Sequence, residues 1–330
     1  MIRTQQASFQ VAAVTHPGLG GRLNEDRFAA SSYQVSETDS TPSIFAIISD
    51  GIGGHQAGEI AAEMAVETIS HMVALSNARQ PLAILDQAVQ VTSDAIAKKA
   101  SDDTQRLGMG TTCACAWIIG QKLFTASVGD SRIYLMRNGN LAQITVDHTW
   151  VQEAMERGIL KQEDAHSHPN AHVIRRYLGS SRTPKADIRL RLAKNESDTQ
   201  ARSNQGLELI PGDLLLLCTD GLTDVVANTE IEPVIRNLDI QAAAQALVDL
   251  ALSRQGKDNI TVLLLLVPQG SEPARKSKFW LWVLVALAGL ILLVTALAVI
   301  TWLVFNYFLP PPSAPVPLHL LNYYLLGSNA

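Results

Sequence analysis

"IFAIISDGIGGHQAGEIAAEMAVETI", residues 44–69, runs from an apolar stretch through a glycine-rich turn into a helix-like pattern. Asp50 stands where the apolar stretch ends, and Gly51, Gly53 and Gly54 leave backbone carbonyls and amides accessible around it. Such a turn can grip a phosphate through amides, bind a metal through oxygens, or simply join strand to helix with an aspartate cap. The rest of the chain discriminates among the three.

Working outward, apolar β-like runs recur at 9–14, 44–49, 111–119, 122–128, 132–136, 214–218 and 260–267, and helical patterns at about 57–76, 82–100, 149–157 and 240–254. In the first helical pattern Ile60, Met64, Glu67 and His71 share one stripe and Ala61, Ala65 and Thr68 the adjoining one, which suits a helix packed on a sheet. The elements come in groups, with two consecutive helices before a set of hairpin-like strands. That grouping predicts α+β layers rather than a doubly wound parallel sheet. Residues 158–207 hold little regular pattern and are expected to be functional or mobile loops.

At 330 residues the chain has room for one large domain or two ordinary ones. A formal net charge of −5, with no basic stripe outside 275–278, excludes the electrostatic footprint of a nucleic-acid binder. The N-terminus lacks an apolar core of signal-peptide length, so the leading part is expected in the cytoplasm. Cys113, Cys115 and Cys218 fall in β-like runs with no CxxC and are read as packed thiols.

The other end differs. Phe279 to Leu309 contains no charged residue and is long enough to cross a hydrocarbon core of about 30 Å. Trp280, Trp282, Trp302 and Tyr307 lie near its ends, and Arg275, Lys276 and Lys278 precede it. These features predict a single-pass transmembrane helix at 279–309 in the cell inner or plasma membrane, with residues 1–278 cytoplasmic and membrane lipid as a partner. The expected division is a domain over 1–268, a basic linker 269–278, the membrane helix, and a Pro-rich and apolar tail 310–330.

Several aspartates share one context, an apolar run meeting Asp beside a small or polar residue: Asp50 in "IISDGIGG", Asp130 in "TASVGDSR", Asp220 in "LLLCTDGL" and Asp258 in "GKDNITVLLLL". Glu25 and Asp26 stand together in "GGRLNEDRF". Carboxylates converging without counter-charge cannot all stay ionised, and a divalent cation removes that cost. Oxygen-only ligation points to Mg²⁺ or Mn²⁺ rather than zinc.

Taken in order, "NEDRF", "DGIGGHQAGEIAA", "GMGTTCACA", "VGDSRIYL", "LAQITVDHTWVQEAMERG", "HPNAHVIRRYLG", "GDLLLLCTDGLTDVV" and "KDNITVLLLLV" cover most of residues 8–268. Through them the chain resembles the metal-dependent Ser/Thr protein phosphatases, the type 2C or PPM family, in their bacterial form. The resemblance implies a four-layer αββα sandwich, a central antiparallel β-sandwich flanked by helix pairs. It implies that Asp50 bridges two catalytic ions, that Gly51 offers its carbonyl to one, and that Asp220 and Asp258 complete the metal carboxylates. Asp130 then matches the acid of a third, weaker ion, and Glu25 and Asp26 the pair holding metal-bound water.

Gly53 and Gly54 would let the backbone approach the ions. The phosphate-binding arginine of the family falls at Gly21 in this chain, so Arg22, one residue later, is carried over to that role. His55 is read as bracing the loop. His166, His168 and His172 are spaced like a small zinc site, but by resemblance fall in a flap touching substrate. The implied reaction is direct hydrolysis of phosphoserine or phosphothreonine on proteins by a hydroxide held between Mn²⁺ or Mg²⁺ ions, opposing a Ser/Thr kinase that is itself expected at the membrane. No cysteine carries an arginine at the spacing of the Cys-x5-Arg phosphatase loop. A non-catalytic binding module is the competing reading, and it should have lost metal carboxylates that are all present.

Overall fold

A computed structural model describes residues 1–4, 9–21, 23–53, 57–165, 168–193, 195–268 and 279–307. Two compact units, Met1–Gln269 and Gly270–Ala330, divide the chain. The first opens with strands β1 (Ile2–Arg3), β2 (Gln10–His16), β3 (Arg27–Gln34), β4 (Pro42–Ser49) and β5 (Gly51–Ile52), then helices α1 (Gly58–Leu75) and α2 (Pro81–Ser101). Strands β6 (Gly110–Thr111), β7 (Cys113–Ile119), β8 (Lys122–Val128), β9 (Arg132–Arg137) and β10 (Asn140–Gln143) follow. After short helices α3 (Trp150–Glu156), α4 (Gln162–Ala165) and α5 (Asp198–Ser203) come β11 (Leu207–Glu208), β12 (Leu214–Cys218), α6 (Asp220–Thr223), α7 (Asn228–Asn237), α8 (Ile240–Ser253) and β13 (Ile260–Leu266).

Two antiparallel sheets result, in orders β1-β3-β4-β7-β8-β11 and β10-β9-β12-β13-β2, with β5-β6 as a small ribbon. Their central strands are buried on both faces, so they read as unbroken apolar runs rather than alternating ones. The pleat still sorts the side chains. Phe45, Ile47, Cys113, Cys115 and Trp117 face Ala61, Ala65, Ile69, Leu85 and Val89 of α1 and α2. Ile44, Ala46, Ile48, Ala114, Ala116 and Ile118 meet Ile133, Leu215, Leu217, Leu263 and Leu265 between the sheets. Leu214, Leu216, Val262 and Leu264 pack on Ile231, Ile235, Leu247 and Val248 of α7 and α8. Helix, sheet, sheet and helix thus form four layers, each apolar face covered by the next.

The buried stripe of α1 is Gly58, Ala61, Ala62, Ala65, Ile69 and Val73, with Ile60 and Met64 only partly buried beside it and Glu67 and His71 exposed. Small residues dominate that stripe and let the helix lie close to the sheet. All three thiols are free and buried, and Cys113 and Cys115 share one face with sulfurs 3.9 Å apart. The stretch 158–207 is tied down at intervals. Leu178 bridges to Thr111 and Asp187 to Ser127, and the capping box of Ser197 and Gln200 starts α5.

The second unit contains helix α9 (Phe279–Tyr307). The expected membrane placement is overturned: among the described residues no helix is long and apolar enough to cross a membrane. The single-pass inner- or plasma-membrane location and the lipid partner fall with that expectation. The tail 310–330 lies outside the described residues.

Candidate active site

Strand register brings one end of the sandwich together. Arg27 pairs with Ser49, Ile48 with Ala114 and Cys113 with Val128 in one sheet, while Cys218 pairs with both Arg132 and Val262 in the other. The segments holding Asp26, Asp50, Asp130, Asp220 and Asp258 therefore all leave the sheets at this end. Gly51 sits beside Asp50 in β5, paired with Thr111. Arg22, Gly54 and His55 lie outside the described residues.

Each acid is held by a specific partner. Asp26 is almost fully buried, and its Oδ2 accepts from Thr219 Oγ1 at 2.9 Å and Thr261 Oγ1 at 2.6 Å, one residue from each of two segments of the other sheet. The Asp50 backbone is clamped by two threonines: its N–H donates to Thr112 Oγ1 at 2.9 Å, and its carbonyl accepts from Thr111 Oγ1 at 2.7 Å. Thr112 Oγ1 also pairs with Ser131 Oγ at 2.6 Å, next to Asp130. Asp220 opens α6, and the Asp258 Oδ1 accepts from the Asn259 N–H at 2.9 Å. Asn259 ties the edge, accepting from Glu25 N–H at 2.8 Å and donating to the Pro17 carbonyl at 3.1 Å.

Close packing sets these segments against one another. A Cβ on Gly221 would lie 2.0 Å from the Asn259 carbonyl oxygen, so only glycine lets the Asp220 turn rest on the Asp258–Asn259 segment. Gly221→Ala is expected to cost about 2–3 kcal/mol. Urea denaturation measures it, and a midpoint equal to the parent would refute the contact. A Cβ on Gly51 would meet the Gly58 backbone at 2.4 Å, while Glu25 Oε1 accepts from the Gly58 N–H at 3.2 Å. Gly58, rather than Gly53, gives the closest approach of α1 to the Asp50 turn. Glu25 thereby serves the orphan amides at the start of α1, where no N-cap side chain does so.

The electrostatics follow from burial and crowding. Burial pushes Asp26 up to about 7, against the hydrogen bonds of Thr261 and Thr219. Burial also pushes Asp130 up to about 7, with the Asp147 charge adding and Arg132 opposing. Asp50 is raised well above the carboxylate range by burial and then by Asp26, Asp220, Asp130 and Asp258, and Asp220 is raised by burial and by Asp130, Asp224 and Asp258. The crowding is mutual, and each raised carboxyl is driven towards its protonated, uncharged form.

Three of these acids carry a buried oxygen with no partner: Asp26 Oδ1, Asp130 Oδ1 and Asp220 Oδ1. Buried carboxylate oxygens left unpaired, in an all-oxygen set with raised affinity for protons, have the chemistry of a hard-cation site. Among the described residues, no group of three or more His, Cys, Asp or Glu side chains is placed so that it could hold a metal ion as it stands. The donors fit a hard cation in kind.

A cavity of about 300 Å³ adjoins the acids, lined by Asp130, Arg132, His172, Asp220, Asp224 and Asn228 among others. The larger cavity, about 600 Å³, runs beside it along Leu141, Met155, Leu160 and Arg191 and shares Asp147 and Gln143 with it. The histidine cluster does not assemble as a zinc site among the described residues. His168 stacks on Trp150 at 4.6 Å, His172 Nδ1 lies 2.9 Å from Asp224 Oδ2, and His166 lies outside the described residues. Residues missed in the sequence are Thr111, Thr112, Thr219, Thr261, Asn259 and Asp224. The repeated Thr beside "GMG", "TDG" and "DNIT" was the available signal.

The sequence profile of the protein phosphatase 2C family matches residues 20–253. The serine/threonine protein phosphatase PstP of Mycobacterium tuberculosis is 36% identical over 218 residues, covering 66% of this chain and 39% of that protein. The chain thus spans well under half of that relative. The serine/threonine phosphatase stp of Listeria welshimeri is 36% identical over 224 residues, covering 66% of this chain and 82% of that protein. Among solved structures, the catalytic domain of PstP in complex with two manganese ions superposes with a TM-score of 0.64 at 31% identity, over 78% of this chain and 97% of that one.

Proposed function

Because this chain belongs to the protein phosphatase 2C family, we propose that it hydrolyses phosphoserine and phosphothreonine esters on proteins at the cluster formed by Asp26, Asp50, Asp130, Asp220 and Asp258. The observation that carries the proposal is the convergence of five acids on one end of the sandwich with three buried oxygens unpartnered. Asp50, Asp220 and Asp258, with the Gly51 carbonyl, would hold two divalent ions, and Asp130 a third. Manganese in the PstP catalytic domain supports Mn²⁺ or Mg²⁺ here. Bound ions would neutralise the acids, polarise the phosphoryl oxygens and acidify a water to a nucleophile near neutral pH.

The chain's own groups supply position. Thr111 and Thr112 lock the Asp50 backbone from both sides, so its carboxylate keeps one place between the sheets. Thr219 and Thr261 fix one oxygen of Asp26 and leave the other free. The cavity beside Asp130 and Asp220 has room for a phosphorylated side chain, and its Arg132 is neutralised by a bidentate Asp147 pair. Arg22 is the proposed phosphate contact, on the sequence alone. Hydrolysis of these esters opposes a Ser/Thr protein kinase, and phosphorylated proteins are the partners that chemistry requires.

The test is release of phosphate from a phosphothreonine peptide by the full chain with Mn²⁺, Mg²⁺ or chelator, beside Asp258→Asn. Metal-dependent turnover, reduced at least a hundredfold in the variant, is the expected result. Turnover that survives chelator would overturn the assignment, as would a folded protein inactive with either ion.

A further inference from the structure

We infer that His148 is a positioning residue that aims Asp130 into the reaction centre by gripping the peptide of Gly129. The inference rests on the reading of Asp130 as part of that centre. His148 is 4% exposed, and every polar atom of its ring is engaged. Its Nδ1 accepts from the Gly129 N–H at 3.0 Å, and its own backbone N–H donates to the Gly129 carbonyl at 2.9 Å. A ring nitrogen that accepts carries no proton, so the proton sits on Nε2, which donates to Asp187 Oδ2 at 3.0 Å. With both nitrogens spent, the ring has no atom free for chemistry and acts through Gly129.

Gly129 needs that grip. Its φ is +104°, and a Cβ there would lie 2.6 Å from the Thr112 side chain. The peptide before Asp130 is therefore wedged between Thr112, which also holds the Asp50 N–H, and His148. The far side of the ring is equally fixed. Arg189 Nε and Nη2 both donate to Asp187 Oδ2, at 2.8 and 2.6 Å, and Arg189 Nη1 reaches Glu156 of α3 at 3.2 Å and Asp198 of α5 at 3.1 Å. The 187–198 segment, which has no place in the carboxylate cluster, thus bears on Asp130 through one imidazole. Partners that orient a ligating carboxylate typically cost 10–100-fold in metal affinity or activity when removed.

Two substitutions divide the ring's contacts. His148→Asn keeps an acceptor near the Nδ1 position, whereas His148→Gln reaches toward Asp187 and leaves the Gly129 N–H without a partner. In the metal-free full chain, hydrogen–deuterium exchange over residues 126–132 should quicken at least tenfold in His148→Gln and stay within threefold in His148→Asn. The kcat/KM on a phosphothreonine peptide with Mn²⁺ should fall about 10–100-fold in His148→Gln and stay within about threefold in His148→Asn. In an Asp130→Asn background, His148→Gln should cost less than twofold more, because its effect passes through the missing carboxylate.

Equal behaviour of the two variants would overturn the inference, and so would a His148→Gln loss that persists in full beside Asp130→Asn. Should Asp130→Asn alone leave kcat/KM unchanged, the reading of Asp130 fails, and the exchange pattern still decides whether His148 grips Gly129. If His148→Gln does not fold, Asp187→Asn loosens the ring's far anchor. About a threefold loss is then expected, and it should vanish beside Asp130→Asn.

Discussion

Asp50→Asn is expected to lower kcat/KM for a phosphothreonine peptide about a thousandfold and, in the same protein, to raise the Tm measured in chelator. The rate loss corresponds to about 4 kcal/mol of transition-state stabilisation, the scale on which a bound divalent ion acts. The gain in stability has a separate origin. Asp50 is driven above the ordinary carboxylate range by burial and by four neighbouring acids, so the metal-free protein holds a crowd of like charges that an amide does not join. Manganese should raise the Tm of the parent and not of the variant. A variant less stable than the parent in chelator would show that Asp50 is a structural cap, and the site assignment would fall with it.

The second large effect concerns pH. Asp26 and Asp130 sit near 7 in the folded metal-free protein against 3.8 when unfolded, so the folded state binds protons the unfolded state has released. Groups raised in this way contribute stability that is fully present below about 4 and is lost as pH rises through about 7. In chelator, these two groups should therefore make the protein less stable at pH 7.5 than at pH 5, by on the order of a few kcal/mol. Saturating Mn²⁺ should abolish or reverse the slope, because the ion replaces the protons. Metal affinity should rise over the same interval, since each ligand must shed its proton first. Urea midpoints at the two pH values, with and without ion, measure this. A metal-free protein more stable at pH 7.5 would mean that these acids are not buried together.

Much of the fold was legible because the strands buried on both faces announce themselves as apolar runs. The runs at 122–128 and 214–218 coincide with β8 and β12. What escaped notice was built from small or interrupted residues. In β3, "RFAASSYQ", Phe28 and Ala30 face the inter-sheet core while Ala29 and Tyr33 face the helices, but the alanines and serines hide the alternation. In α7, Pro233 lies inside the helix and conceals the pair Ile231 and Ile235, which are buried four residues apart. The apolar stretch from 279, with aromatic residues at its ends and basic residues before it, suggested a membrane span, and among the described residues no helix is long and apolar enough to cross one.

At the site, the aspartates could be found because each ends or precedes a strand, and register then carries them to one end. Their supports could not. Thr219 and Thr261 stand one residue before Asp220 and three after Asp258, yet both serve Asp26, nearly two hundred residues away or more. Such pairings depend on which strands become neighbours across the sandwich, and no local spacing encodes that. His148 was likewise visible only as part of "VDHTW", because its two partners, Gly129 and Asp187, come from separate loops.

The most direct test of the carboxylate cluster as a metal centre is anomalous diffraction from crystals of the full chain grown with Mn²⁺. Two peaks about 3.5–4 Å apart are predicted, with Asp50 between them and Asp220 and Asp258 among their ligands. An empty cluster in a protein that still hydrolyses phosphothreonine peptide would contradict the account.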